Sequence, residues 1–160
     1  MVDLRRIMFG LGILFLIGSV QAVNAFEISS PFGWRDHPIS GERNFHTGID
    51  IKLAMNTPIS PIFSGKVIFA GVHGGYGKVI VIYHGNNTYT LYGHLNKILV
   101  TRGRYVQVNR IMAYSGSTGY STGPHLHLAY WVNGKYVDPL TIWRKAKYKS
   151  RIEKQCERRA

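Results

Sequence analysis

The sequence predicts a mainly β protein: a single domain built on an antiparallel sheet or sandwich. Three observations carry that expectation. Short runs of β-branched and aromatic residues recur between turn signals. Eighteen Gly and six Pro punctuate the 160 residues too often for long helices. An apolar share of 45% in a chain of 18.1 kDa suits one compact core and leaves room for little else.

The first 25 residues are set apart from the fold. Arg5 and Arg6 precede an apolar run over residues 7–20, and small and polar residues ending in Val23-Asn24-Ala25 follow. That is the order of a secretory leader. The run is shorter than the roughly 20 residues of a membrane span, so cleavage after Ala25 is expected rather than a retained anchor. Either outcome places the domain in the periplasm or outside the cell. No Cys follows the leader, which argues against a lipoprotein.

Residues 26–140 form the predicted domain. A short strand is expected at residues 66–70. Val79-Ile80-Val81-Ile82-Tyr83 then runs into the turn Gly85-Asn86-Asn87 and returns as Thr88-Tyr89-Thr90-Leu91-Tyr92, a hairpin. Residues 105–108 and 111–114 are further short strands. A second hairpin joins residues 126–132 to 135–137 through Asn133-Gly134, a dipeptide that tolerates positive φ at both turn positions. Residues 141–160 follow as a basic tail.

Net charge is +12, of which the leader holds +1, the domain +5 and the tail +6. Such a balance favours an anionic partner. Export removes nucleic acid from consideration and leaves cell wall or an anionic membrane surface, with the tail as the adhesive segment; a frayed, solvated end is the plainer account of the same residues. The single Cys, Cys156, permits no internal disulfide and no thiolate zinc site. Any metal must therefore be held by His and carboxylate.

The chemistry concentrates in histidines. On a strand, His125 and His127 point to one face, so a ligand and a catalytic base can share it. In His46-Thr47-Gly48-Ile49-Asp50 the spacing of four aligns His with Asp on a helix or a strand, and Gly48 favours the strand. Two imidazoles and a carboxylate make a zinc site with one open position. His94 ends the first hairpin within reach of that face. A lone His in a strand is more often structural than a ligand, but the turns Gly116-Ser117-Thr118-Gly119 and Gly123-Pro124 directly before the His-x-His shift the balance by holding backbone close to a substrate. Spacing does not tell His125 from His127.

Five segments in order, Gly33-Trp34-Arg35-Asp36-His37-Pro38, His46-Thr47-Gly48-Ile49-Asp50, Thr90-Leu91-Tyr92-Gly93-His94-Leu95, Gly116-Ser117-Thr118-Gly119 and Gly123-Pro124-His125-Leu126-His127, resemble the motifs of lysostaphin/LytM-type zinc metallopeptidases. The resemblance runs from about Ser30 to Leu140. It implies an antiparallel β-groove, one zinc ion and hydrolysis of peptide bonds in peptidoglycan stem peptides or cross-bridges. It assigns zinc to His46, Asp50 and His127, and leaves His94 and His125 as catalytic histidines, with His125 as base and His94 as stabiliser of the oxyanion or acid. Arg35 is expected either to bind a substrate carboxylate or carbonyl, or to pair with Asp36 or Glu42. Tyr120, Ser121 and Thr122 are expected to line the cleft; His73 and His84 are assigned to structure or surface.

Two departures stand out. Relatives usually carry an acidic residue two positions after the His-x-His, where this chain has Ala129, and Asn109 stands where Gly is common. The first removes a supporting carboxylate; the second is tolerated, because Asn accepts positive φ. A monomeric exported hydrolase is the expectation. The alternative is an inactive relative that binds peptidoglycan or activates other wall hydrolases, against which all five His and Asp positions are filled.

Overall fold

The computed structural model describes residues 27–36 and 41–142. The expected leader, His37, the tail beyond residue 142 and Cys156 lie outside the described residues. In chain order the strands are β1 (Ile28–Ser30), β2 (Gly33–Asp36), β3 (Arg43–His46), β4 (Gly48–Lys52), β5 (Pro58–Ile59), β6 (Gly65–Val72), β7 (Lys78–Tyr83), β8 (Thr88–Leu95), β9 (Lys97–Ile98), β10 (Tyr105–Val106), β11 (Ala113–Tyr114), β12 (His125–Val132) and β13 (Lys135–Tyr136). Antiparallel ladders join eight of them in the order β1-β4-β12-β8-β7-β6-β10, with β13 on β12; β5-β11-β9 make a small sheet and β2-β3 a separate ribbon.

Both hairpins expected from the sequence are present. Asn86 and Asn87 turn the first at φ 48° and 51°, and Asn133 and Gly134 turn the second at 50° and 75°. These are the left-handed values that Asn and Gly tolerate best. The predicted strand at residues 105–108 is shorter, because Arg110 N–H donates to the Gln107 carbonyl and Asn109 takes φ 65°, which bends the chain away after Val106.

Period-two alternation splits the large sheet into two faces. Ile49, Ile51, Ile80, Ile82, Tyr92, Leu126 and Leu128 point to one side and form the core with Ile59, Met112 and Ala113 from the small sheet. Each fully buried aliphatic chain contributes about 1.5–3 kcal/mol. Gly48, Asp50, Leu91, His127 and Ala129 face the other side.

That second face carries a row of aromatic rings in direct register. Tyr83 pairs with Tyr89, Tyr89 with Trp131, and Trp131 with Tyr136. Their centroids are 5.1, 5.2 and 5.7 Å apart, and Tyr89 and Trp131 stack at 11°. Cross-strand aromatic pairs contribute about 0.2–1 kcal/mol each. They also fix register, since a one-residue slip of β12 would send Trp131 and His127 together to the core face.

Candidate metal centre and cleft

Asp50 and His127 are direct partners in the β4–β12 ladder, on the face away from the core. His46 ends β3 in the ribbon, opposite Gly33, and one residue, Thr47, carries the chain into β4. The two strands thus bring His46 and Asp50 together in extended conformation, as Gly48 suggested. His46 Nε2 lies 3.0 Å from His127 Nδ1 and 3.2 Å from Asp50 Oδ1, and His127 Nδ1 lies 2.9 Å from Asp50 Oδ1.

These three atoms fit a metal ion. His46 Nδ1 donates to the Pro31 carbonyl at 2.8 Å, so in neutral His46 the inward Nε2 carries a lone pair. Burial pushes the His127 pKa down against the hydrogen bond and charge of Asp50, which keeps that ring neutral. Burial opposes ionisation of Asp50, yet the hydrogen bond with His127 and the closeness of His46 outweigh it and hold the carboxyl well below the usual carboxylate range. His46 Nε2, His127 Nδ1 and the Asp50 carboxylate therefore converge, with too few protons to satisfy them all. Tetrahedral ligands at about 2.0–2.2 Å from zinc would be about 3.3–3.6 Å apart, slightly wider than the spacings here. Among the described residues His46, Asp50 and His127 form the one group of this kind.

His94 and His125 stand beside them, with ring centroids 4.5 Å apart. Alternation from Leu91 and Gly93 would send His94 to the core side of β8. A backbone φ of 57° at His94 breaks the alternation and turns the ring to the metal face. Its Nδ1 donates to the Thr118 carbonyl at 2.8 Å, and His125 Nδ1 donates to the Gly123 carbonyl at 2.8 Å. Both rings therefore keep Nε2 for the cleft, and His125 Nε2 lies 3.8 Å from Asp50 Oδ1. Burial is the main cause that lowers the His94 pKa to about 4.

The loop over residues 116–124 holds both rings. Thr118 Oγ1 donates to the Leu95 carbonyl at 2.8 Å and accepts from Lys78 N–H at 2.9 Å, and Ser121 Oγ reaches Ser117 Oγ, the Gly123 carbonyl and His125 Nδ1. Gly119, at φ 75°, meets Gly77, at φ 62°, backbone to backbone, with no room for a Cβ on either. Only Gly fits this crossing.

All nine site residues named from the sequence line one cleft of about 330 Å³: the three ligand candidates, the two further histidines, Arg35, Tyr120, Ser121 and Thr122. Arg35 Nη2 lies 3.6 Å from Asp50 Oδ2, the oxygen turned away from His127. The sequence did not single out Asn44, Phe45, Thr47, Gly75 or Tyr76, which complete the lining. Tyr76 packs 5.3 Å from His127, from a single 3-10 turn at Gly74–Tyr76 that carries no motif. His127 Nε2 is buried without a hydrogen-bond partner among the described residues. Ala129, two positions on along the same face, is packed with Val79 and Leu91 and offers it none. His84 is structural: Nδ1 donates to the Ser64 carbonyl and Nε2 meets Thr90 Oγ1. His73 rests edge-on against Phe69.

Comparison with known proteins agrees with this geometry. The model of peptidase family M23 matches residues 44–139. A DD-carboxypeptidase/endopeptidase of Neisseria meningitidis serogroup B is 43% identical over 116 residues, which cover 72% of this chain and 27% of the relative. The chain thus spans about a quarter of the length of the first curated relatives it matches. The catalytic domain of lysostaphin from Staphylococcus simulans superposes with a TM-score of 0.69 at 34% identity, over 74% of this chain and 92% of that one. A zinc-containing peptidase from Vibrio cholerae superposes at 0.65 with 37% identity, over 70% and 35%.

Proposed function

The chain belongs to peptidase family M23, and from that premise we propose that it is an exported, zinc-dependent peptidoglycan hydrolase that cuts peptide bonds in stem peptides or cross-bridges. The observation that carries this reading is the convergence of His46 Nε2, Asp50 Oδ1 and His127 Nδ1 beneath two further histidines in an open cleft. Similarity to a DD-carboxypeptidase/endopeptidase and to lysostaphin supports the substrate class.

His46, Asp50 and His127 would hold the ion. When bound there, zinc supplies Lewis acidity toward a carbonyl oxygen and lowers the pKa of water toward about 7. His125 takes the proton of the attacking water at Nε2, its ring fixed by the Gly123 carbonyl. His94 faces the same space and acts on the oxyanion or the leaving amine. To donate there its Nε2 must first gain a proton, because Nδ1 already donates to Thr118. Two imidazoles ring to ring disfavour double protonation, so the pair carries one proton at a time and passes it from water to amine. Arg35 balances the charge of Asp50 on one side of the cleft, and Tyr120, Ser121 and Thr122 line the other. The leader, residues 1–25, delivers the domain across the membrane, and the basic tail, residues 141–160, adheres to an anionic wall or membrane surface.

Incubating the chain with purified peptidoglycan, with and without a chelator, tests the proposal. Soluble muropeptides should appear only without chelator, and never with His46→Ala. Release that survives either treatment would overturn the zinc mechanism; no release in any arm would leave a binding protein. Separate His94 and His125 variants should lose different limbs of the pH–rate profile, and loss of the same limb in both would remove the division of roles.

A further inference from the structure

We infer that residues 97–111, at the edge of the large sheet remote from the metal centre, form a docking surface for an anionic lipid membrane. The inference rests on the proposed function only in placing the domain outside the cytoplasm, where it meets lipid. The segment links β9, β10 and β11 through two turns, closed by Arg104 N–H on the Thr101 carbonyl and Arg110 N–H on the Gln107 carbonyl. Between and beside them lies an open groove of about 760 Å³, floored by the buried Val106 and Met112.

Two properties coincide on this surface. Four large apolar chains stand in solvent there: Leu99 at 45% exposure, Tyr105 at 64%, Val108 at 43% and Ile111 at 49%. Interleaved with them are Lys97, Arg102, Arg104 and Arg110, with Lys66 paired opposite Tyr105, all exposed. Residues 51–137 contain no Asp or Glu. Among the described residues the ion pairs involve Arg35, Lys52 and site histidines, and none reaches these cations. A patch of unpaired cations around exposed apolar chains matches a headgroup layer, where guanidinium groups meet phosphate and apolar tips enter between lipids. A soluble acidic polymer would satisfy the charge and leave the apolar chains in water. β10 is four strands from β12, about 19 Å at the usual strand spacing, so a docked domain leaves its cleft uncovered.

The test uses the full chain and backbone hydrogen–deuterium exchange, which reads this segment whatever the leader and tail do. Vesicles of phosphatidylglycerol in phosphatidylethanolamine should slow exchange severalfold over residues 97–111, and phosphatidylcholine vesicles should not. Each cation near an anionic leaflet is worth about fivefold in binding, so Arg102→Gln, Arg104→Gln and Arg110→Gln together should weaken vesicle binding about a hundredfold and abolish the protection. The same charge removed from the tail by Arg151→Gln, Arg158→Gln and Arg159→Gln should cost less protection, and Val108→Ser alone should reduce it. Peptidoglycan hydrolysis should stay at the parent rate in the Arg102/Arg104/Arg110 and Val108 variants. Absent protection, equal loss in the two triple variants, or equal protection by soluble poly-L-glutamate would overturn the inference, the last assigning the patch to an acidic polypeptide. Failure of hydrolysis in the chelator assay bears on the proposed function and leaves this result standing.

Discussion

Adding one methyl group at Gly48 should damage the metal centre through the sheet. An ideal Cβ there collides with the Leu128 carbonyl oxygen and lies 2.9 Å from both Cε1 and Nε2 of His127. Leu128 cannot retreat, because β12 is laddered on both sides, by β4 and β8. β4 must therefore move outward, and it carries Asp50 away from its partner His127. Overpacking of this kind costs about 1–3 kcal/mol, or about 4–15 °C in the midpoint of thermal unfolding for a domain of this size. Disturbing the support of a ligand costs about 10–100-fold in metal affinity. Gly65→Ala supplies the control: its Cβ collides with the Tyr83 carbonyl oxygen and lies 2.8 Å from His84 Nδ1, at β6, away from the ligands. Thermal unfolding in chelator should show comparable losses for both variants. Competition against a chromophoric zinc chelator should show weakened affinity for Gly48→Ala only. Equal zinc affinity in the two would refute the argument that the β4–β12 spacing sets the centre.

Thr118→Val removes a hydroxyl that accepts from Lys78 N–H and donates to the Leu95 carbonyl; the orphaned buried groups should cost about 1–3 kcal/mol, and kcat should fall more than KM changes, because the Thr118 carbonyl that anchors His94 loses its support. An unchanged kcat would show that the Thr118 carbonyl needs no such support. Ser121→Ala should lower kcat severalfold with little loss of stability, since His125 keeps its bond to the Gly123 carbonyl; a KM effect alone would instead place Ser121 against substrate. For the metal-free protein, burial lowers the pKa values of His84, His94 and His127, that of His94 to about 4. The unfolded chain, with histidines near 6.5, then binds more protons between those values, so stability should fall as pH drops from about 6.5 toward 4. Urea midpoints in chelator measure it, His94→Gln should flatten the slope, and parallel curves for variant and parent would refute the assignment.

The parts of the molecule legible in the sequence are those written in alternation and turn chemistry. The β7–β8 and β12–β13 hairpins announce themselves because Asn86, Asn87, Asn133 and Gly134 occupy positions that need positive φ. The pairs His46/Asp50 and His125/His127 align through even spacing. What spacing leaves open is cross-strand register: that His127 rather than His125 faces Asp50 follows from the β4–β12 ladder, a pairing between segments 77 residues apart. The left-handed backbone of His94 is equally silent, since alternation alone would bury that ring on the wrong side. β1, β2, β3 and β5 are short and rest on tertiary pairing, with too few residues for a periodic signal. Arg35 is expected either on substrate or on Asp36 or Glu42, and spacing gives no sign of Asp50, the carboxylate that the fold sets beside it.

His46 reaches the centre from a two-stranded ribbon, whereas Asp50 and His127 belong to the eight-stranded sheet. An ion shared among the three would act as a second clasp between ribbon and sheet, which Thr47 already joins along the chain. The freedom the ribbon would enjoy unclasped is subtracted from the grip on the ion, so substitutions at its outer face, in Trp34 or Arg43, can tune metal retention without approaching a ligand. The same ribbon supplies Arg35, Asn44 and Phe45 to one wall of the cleft. Holding the ion and steadying that wall would then fall to the same strand, the one that ends in His46.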